Sequence, residues 1–552
     1  MSYFIRKKEF IVNNFGNNIH NNTIENNYGA KYYMRLDVYE KHCHFSSLFV
    51  NIQNFLFTKY KKLCYQLTMF VPGKIVDMGV AVDVLVIGSG PGGYIAALEV
   101  QKLYKEQGKS MQVMCVDMSV NNGGVCLNTG CIPSKFLLDK SHHVYQARNN
   151  FFSSAIEVSD VSCDMKKLIS EKQEVINTLS KGIDYLFSKA GVSSKKETKA
   201  TILSRKDNLY QVELENINSR EKNLISVRNI IIAVGSEPVS IPGIKIDEED
   251  ILSSTGSLAL TKIPSSMLVV GGGVIGVEMA SVYNNLGSKI CIVEGEGQII
   301  PSFDSDLSKS LQSILSKRDI KFEFNKFLSE CKKEDNSYTV KYSDGSEAGG
   351  FDKILVSIGR KPVDHKQYLN FDVKISDRNM LEVDSSLQVL GLDDKPIPGL
   401  YAIGDVIGGT MLAHKAETEA KAVARIIMGR NDAYIGLIPS VIYTNPEVAS
   451  LGSTEDELKQ RGIKYKVAKV PFSSNGKARA IHATDGFVKV LAHSESKIIL
   501  GVHIIGYMAS AILSEVYLPM DNSMVASDFV HVCHSHPDLN ESLRDAMIII
   551  AE

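Results

Sequence analysis

Twice in this chain a short apolar run leads into a glycine-rich turn and then a helical stretch. The first unit is Val82–Ile87 followed by Gly88-Ser-Gly90-Pro-Gly92-Gly93; the second is Met267–Val270 followed by Gly271-Gly-Gly273-Val-Ile-Gly276. The first glycine of such a turn permits a tight bend, the second lets a pyrophosphate approach the backbone, and the third allows close helix–strand packing. The helix behind it offers unpaired amides and the positive end of its dipole to phosphate. The pattern predicts helices from about Gly93 to Tyr104 and over Val277–Asn285. Asp117 and Glu294 end the next expected strands, Val113–Asp117 and Lys289–Glu294, where a carboxylate can accept from ribose hydroxyls. The stretch from Gly88 to Asp117 is longer than usual, and polar Lys105–Ser110 holds the excess as a loop. One glycine turn is weak evidence, but two with acidic strand ends imply two dinucleotides in one chain. Glu294 would repel a 2′-phosphate and the Gly-Glu-Gly after it brings no arginine, so the second site favours NAD over NADP.

Further strands are expected at Asn229–Val234 and Lys353–Ser357, giving parallel sheet with crossover helices from Val82 onward. From about Ile438 the pattern changes, with strands at Phe487–Leu491 and Ile498–Ile505 before a helical end, and reads as a separate α+β domain. Residues 1–78 crowd asparagine doublets (Asn13-Asn14, Asn17-Asn18, Asn21-Asn22, Asn26-Asn27) without a hydrophobic period, the composition of a disordered leader. A presequence usually carries more than Arg6 and Arg35, and Met78 is an alternative start, so the expected location is the cytoplasm, or the mitochondrial matrix if the leader is genuine. A net charge of −2 over 552 residues gives no reason to expect nucleic acid or an anionic membrane as partner. No apolar run reaches the roughly eighteen residues of a membrane span.

Nine cysteines are too few for a secreted disulfide scaffold, and seven of them (Cys43, Cys64, Cys115, Cys163, Cys291, Cys331, Cys533) are scattered without metal-ligand spacing. The other two lie in Gly123-Gly-Val-Cys126-Leu-Asn-Thr-Gly-Cys131-Ile-Pro-Ser-Lys135. Five residues apart in an ideal helix, their Cα atoms would be about 8–9 Å apart. A disulfide needs roughly 4.4–6.8 Å. Either these are two unrelated thiols, or a bridge closes across a distorted turn, which Gly130 and Pro133 permit. A bridge held in that way is expected to be accessible and readily reduced. Near the far end stands Cys533-His534-Ser-His536-Pro-Asp-Leu-Asn-Glu541. A histidine there suits the removal of a thiol proton near neutral pH.

Together with Ile232-Ala-Val-Gly-Ser-Glu-Pro238, Ile358-Gly-Arg-Lys-Pro362, Tyr401-Ala-Ile-Gly-Asp-Val406, Met411-Leu-Ala-His-Lys415 and Tyr443-Thr-Asn-Pro-Glu-Val448, these motifs carry a resemblance. From Val82 to its end the chain resembles the pyridine nucleotide–disulfide oxidoreductase family. The resemblance implies an α/β fold with two Rossmann-like domains and a C-terminal α+β dimerisation domain. The implied division is FAD binding by 79–236 and 363–435, NAD binding by 237–362, and dimerisation by 436–552, behind the 1–78 leader. FAD would be held by Gly88, Gly90, Gly93, Asp117, Lys135 and Gly235, with Asp405 at the ribityl chain and the backbone of Met411, Leu412, Ala413 and His414 beside the ring. NAD would be held by Gly271, Gly273, Gly276, Glu278, Glu294 and Gly359, with Glu278 also pairing Lys135. No metal is implied.

Cys131 would sit against the flavin while Cys126 exchanges with substrate. His536 would act as base, oriented by Glu541, and would reach the partner subunit's disulfide, which requires a homodimer. The implied reaction is oxidation of protein-bound dihydrolipoamide to lipoamide, with reduction of NAD. Its protein substrate would be the lipoyl domain of a dihydrolipoyl acyltransferase or a glycine-cleavage lipoyl protein. Alternatives are a glutathione-reductase-like enzyme and a non-catalytic flavin-binding subunit. Three departures from the family pattern stand out: Val125 and Val234 in place of threonine, and Gly506-Tyr-Met-Ala-Ser-Ala511 where a glycine-rich stretch ending in glutamate is usual.

Overall fold

Burial on both faces marks the first strands as the middle of an α/β layer. In the computed structural model, which describes residues 81–149, 156, 158–335, 337–430 and 432–552, β1 (Ala81–Ile87) keeps Val84, Leu85 and Val86 wholly out of solvent. A parallel strand covered by helices requires this. The leader, residues 1–78, lies outside the described residues. After the glycine turn comes α1 (Pro91–Glu106), with Pro91 at the helix start, where no intrahelical partner awaits its missing amide. β2 (Val113–Val116) then runs parallel to β1. Two consecutive helices follow, α2 (Gly124–Thr129) and α3 (Cys131–Arg148), then the longer α4 (Met165–Ala190), capped at its start by the Asp164 side chain. β3 (Lys222–Ile232) completes the other side of β1.

The sequence pattern predicts only the last part of β3. The strand starts at Lys222 because its first half pairs antiparallel with Leu209–Asn216, itself paired with Thr198–Lys206. Those hairpin strands alternate buried and half-buried residues and present no apolar run.

The second unit repeats the first: β4 (Ser266–Val270), α5 (Val274–Leu286) and β5 (Lys289–Glu294). The helix begins at Val274, ahead of the expected Val277. It is followed by α6 (Ser305–Ser316), β6 (Lys321–Phe324) and β7 (Lys353–Val356), and the parallel sheet runs β6-β5-β4-β7 with Ile251–Leu252 outermost. Between β6 and β7 the chain forms a separate three-stranded antiparallel sheet, Leu328–Glu334, Ser337–Tyr342 and Glu347–Phe351. β8 (Pro396–Ala402) then rejoins the first sheet parallel to β3, and α7 (Ala413–Ile427) packs along α1. The first sheet is thus built from two distant stretches of chain.

The last stretch folds as an antiparallel sheet of β9 (Glu447–Gly452), β10 (Tyr465–Pro471), β11 (Phe487–His493) and β12 (Ile499–Gly506), in the order Ser440–Ile442, β9, β12, β11, β10. The closing helix, α8 (Glu541–Ala551), packs on β10 and β11. One apolar cluster joins Leu137 and Leu138 of α3 to Val277 of α5 and to Ile442, Val448, Phe487 and Ile505 of this last sheet. Among the described residues no helix is long and apolar enough to cross a membrane.

A buried ionic cluster joins the same two regions. Lys489, 1% exposed on β11, lies 2.8 Å from Asp304 at the start of α6, 3.1 Å from Asp306 and 2.6 Å from Glu455. Burial alone would lower the Lys489 amine and raise the Asp304 carboxyl; their pairing outweighs it, leaving the amine up and the carboxyl down. Hydrogen bonds, first that of Lys489, hold Glu455 down to about 2. Lys489→Met should therefore cost about 3–5 kcal/mol, because it strands the buried Asp304 carboxylate beside two partly exposed ones. Denaturant unfolding at neutral pH measures this loss. A depressed carboxylate stabilises the fold above its unfolded value and loses that contribution as pH falls through its folded value. The gap between wild type and variant should accordingly close as pH falls from 4.5 towards 2.

Candidate active site

Cys126 and Cys131 are joined by a disulfide, with their Cα atoms 4.6 Å apart. A continuous helix would keep them well beyond bonding reach. Gly130, at φ −138° and ψ −108°, ends α2 and starts α3, so that Cys131 folds back beside Cys126. The break falls where the glycine and proline of the sequence permit it, with Pro133 in the first turn of α3.

One turn beyond Cys131, the Lys135 amine donates to both oxygens of Glu278 at 3.1 and 3.0 Å. Glu278, 3% exposed, comes from α5 behind the second glycine turn. A second donor was not visible in the sequence: the backbone amide of Tyr443, 2.9 Å from Glu278 Oε1. The Tyr443 ring also lies 4.8 Å from the Lys135 amine, within cation–π range. The motif containing Tyr443 is conspicuous, but a main-chain amide leaves no signature in side-chain identities. Nearby, burial and Arg318 push the His142 imidazole down to about 4, and its ring meets the Asn445 amide.

The glycines of the two cradles divide into two kinds. A Cβ added to Gly93 would fall 1.8 Å from the Gly88 carbonyl oxygen, and one added to Gly276 would fall 1.9 Å from that of Gly271. Helix–strand packing therefore demands glycine at both. Gly90 and Gly273 have ordinary φ values of −63° and −73°. A Cβ at Gly273 would meet no described atom within 4 Å, and one at Gly90 would meet only the Gly124 Cα at 3.9 Å. Nothing in the described protein requires glycine at these two positions, whereas a phosphate approaching from outside would. Neither α1 nor α5 carries a side-chain cap, which leaves its first amides free for such a group.

The strand-end acids have a structural task within the cradles. Asp117 accepts from the Ser89 amide at 2.6 Å and hydroxyl at 2.8 Å, and Glu294 accepts from the Gly272 amide at 2.6 Å. Each ties its strand end to the glycine turn and keeps lone pairs for a ribose. Beside Asp117 opens a cavity of about 100 Å³ lined by Gly88, Met118, Thr198, Val234 and Tyr368. The buried Tyr368 hydroxyl has no hydrogen-bond partner among the described residues. An apolar slot with an unspent hydroxyl, reached from the first glycine turn, fits the adenosine end of FAD.

Asp405 accepts from the Ser236 hydroxyl at 2.5 Å, and that hydroxyl accepts from Arg360 at 2.8 Å, so the segments after Gly235 and Gly359 are tied together. Met411 and Leu412 lead directly into α7, whose first residues are Ala413 and His414; the His414 ring lies 2.7 Å from the Pro439 carbonyl oxygen.

His536 stands apart. Its Nδ1 is 2.9 Å from Glu541 Oε1, and the ring is 78% exposed. The hydrogen bond from His536 and the Asp538 amide hold the Glu541 carboxyl below its ordinary range. Among the described residues, neither His536 nor Glu541 makes a hydrogen bond or ion pair to the segment carrying Cys126, Cys131 and Lys135. His534 is instead buried, 3.0 Å from Glu515 and against the Phe529 ring. In the departing segment Gly506–Ala511, Ser510 donates to Glu447 through its amide at 2.9 Å and its hydroxyl at 2.7 Å.

Residues 82–420 match the family model described as pyridine nucleotide-disulphide oxidoreductase, and residues 438–547 match the dimerisation domain of the same family. The chain belongs to that family. It is 39% identical over 471 residues to dihydrolipoyl dehydrogenase 1, mitochondrial, of Arabidopsis thaliana, covering 84% of this chain and 89% of that one. To the dihydrolipoyl dehydrogenase, mitochondrial, of Homo sapiens it is 38% identical over 488 residues, covering 85% of this chain and 91% of the relative. Among solved structures it resembles LpdA of Mycobacterium tuberculosis, with a TM-score of 0.77 at 20% identity, over 85% of this chain and all of that one. The flavoprotein disulfide reductase RclA of Escherichia coli aligns with a TM-score of 0.72 at 22% identity over 85% of this chain and 99% of that one, again a likeness of fold.

In this member of the family, the two kinds of glycine should respond differently to alanine. Gly273→Ala should leave the melting temperature within about a degree of wild type and weaken NAD binding about tenfold or more, since the added methyl meets no described atom within 4 Å but would obstruct a phosphate. Gly276→Ala should lower the melting temperature itself, because its methyl collides with the Gly271 carbonyl. Calorimetry and a titration of the oxidised protein with NAD separate the two outcomes.

Proposed function

We propose that this chain is a dihydrolipoamide dehydrogenase: it oxidises protein-bound dihydrolipoamide to lipoamide and reduces NAD. The carrying observation is the Cys126–Cys131 bridge followed one turn later by Lys135, whose partner Glu278 belongs to the second cradle. That arrangement supports a dithiol exchange centre lying between two dinucleotide sites. The names of the Arabidopsis thaliana and Homo sapiens relatives support the same substrate. FAD would be held by residues 79–236 and 363–435, NAD by 237–362, and the dimer by 436–552.

His536 takes the proton from the substrate thiol, because with Nδ1 held by Glu541 its Nε2 is free to accept. The resulting thiolate attacks Cys126; a mixed disulfide forms there and Cys131 leaves as thiolate. The second substrate sulfur then displaces Cys126, releasing lipoamide and leaving both cysteines reduced. FAD, when bound, carries the electron pair from this dithiol to NAD. Lys135 and Glu278 keep α3, which carries Cys131, and α5 of the second cradle in register. The exposed His536, in a domain of the dimerisation family, suits a base that serves the partner subunit's disulfide in a homodimer.

The macromolecular partner would be the lipoyl domain of a dihydrolipoyl acyltransferase or of the glycine-cleavage system. The word mitochondrial in the relatives' names favours the matrix over the cytoplasm.

Purified protein should reduce NAD with dihydrolipoamide. Cys126→Ser should abolish that turnover while the protein keeps bound FAD, read from its visible absorbance. NADH should bleach that absorbance in an anaerobic titration at far lower concentration than NADPH. Normal turnover by the serine variant would remove the disulfide from the reaction. His536→Gln should lower kcat at pH 7 by about 10²–10⁴, the usual worth of a general base. Raising the pH should recover part of that loss, since the substrate thiol then ionises unaided.

A further inference from the structure

Phe327 is a large apolar side chain left 63% exposed just beyond the end of β6. Its ring lies against Gly295, the residue after Glu294. A Cβ added to Gly295 would fall 2.5 Å from the ring's Cε1 and 2.8 Å from its Cζ. Backbone hydrogen bonds fix the arrangement from both sides: the Lys326 amide donates to the Glu294 carbonyl at 3.2 Å, and the Ser343 amide donates to the Phe327 carbonyl at 2.9 Å. An aromatic ring is therefore held out in solvent by a rigid frame, over a glycine that gives it room.

Its place in the sheet says what it could meet. In open parallel sheets, ligands lie along the carboxyl ends of the strands. The second glycine turn leaves the end of β4, Glu294 ends β5, and Phe324, which pairs with Glu294, ends β6. These three strands are successive neighbours, each step about 4.8 Å. A dinucleotide with its pyrophosphate on the turn and its ribose at Glu294 would carry its base to the end of β6, where Phe327 stands. We propose that Phe327 is the stacking platform for the adenine of NAD, and that Gly295 lacks a side chain so that the ring can lie there. Stacking needs only a π-face, which the exposed ring supplies without any hydrogen-bonding group. The inference rests on the reading of the second cradle as the NAD site.

The test is a calorimetric titration of the oxidised, FAD-loaded dimer with NAD, which cannot reduce the flavin, and with nicotinamide mononucleotide, which lacks the adenosine half. Phe327→Ala should bind NAD about 5- to 150-fold more weakly, as loss of one base stack implies. Phe327→Tyr should bind it like wild type, and all three proteins should bind the mononucleotide equally. An alanine variant that binds NAD as wild type does would overturn the proposal. So would a parallel loss of mononucleotide affinity, since Phe327 would then act through the loop rather than the base. Wild-type protein that fails to bind NAD would overturn the reading of the second cradle, and this inference with it.

Discussion

A carboxylate removed from water must find donors, and Glu278 accepts three hydrogen bonds from two donors on separate stretches of chain. The Lys135 amine comes from the helix that begins at Cys131, the Tyr443 amide from the strand region leading into the last sheet, and Glu278 itself from the helix of the second cradle. Each element could shift separately if packing alone held it, because apolar contacts are non-directional. Hydrogen bonds to one buried carboxylate are not. The group costs stability unless all its partners arrive together, so its satisfaction selects the arrangement in which disulfide, cradle and dimerisation domain are in register. The apolar cluster around Leu137, Val277 and Phe487 supplies the area, and Glu278 supplies the direction.

What could be read from the sequence follows from how local each constraint is. The two cradles were legible because a glycine turn states its geometry in consecutive residues, and because it follows an apolar run, Val84–Ile87 in β1 and Met267–Val270 in β4. The bridging of Cys126 and Cys131 was legible as one of two possibilities, decided by the break at Gly130. The pairing of Lys135 with Glu278 came only from the family resemblance, since 143 positions separate them. The first half of β3 and its hairpin were missed, because strands that alternate in burial offer no apolar run. The amide of Tyr443 and the frame around Phe327 are tertiary facts, set by backbone groups that carry no residue code.

The site combines very different degrees of constraint. Lys489, Asp304 and Glu455 clamp the second parallel sheet to the last one with buried charge, which resists sliding because any displacement leaves a charge unpaired. The cysteines sit at a helix break, whose two arms are held by the packing around them. His536, by contrast, is fixed at one ring nitrogen by Glu541 and is otherwise open to solvent. A rigid frame suits electron transfer, which depends on constant separation of the groups involved. The open ring suits a proton transfer to a substrate that must enter and leave.

The strand-end acids show why the cradles can be both stable and receptive. Asp117 and Glu294 are already hydrogen-bonded to the amides of their own glycine turns. The turn is therefore ordered before any ligand arrives, and the entropy of shaping it is not charged to binding. What remains free among the described residues is what a dinucleotide uses: uncapped helix amides, open space before Gly90 and Gly273, and the Tyr368 hydroxyl. Exposure of Phe327 belongs to the same logic, since a preformed frame can hold an apolar ring in water only because the frame, and not the ring's own burial, keeps it there.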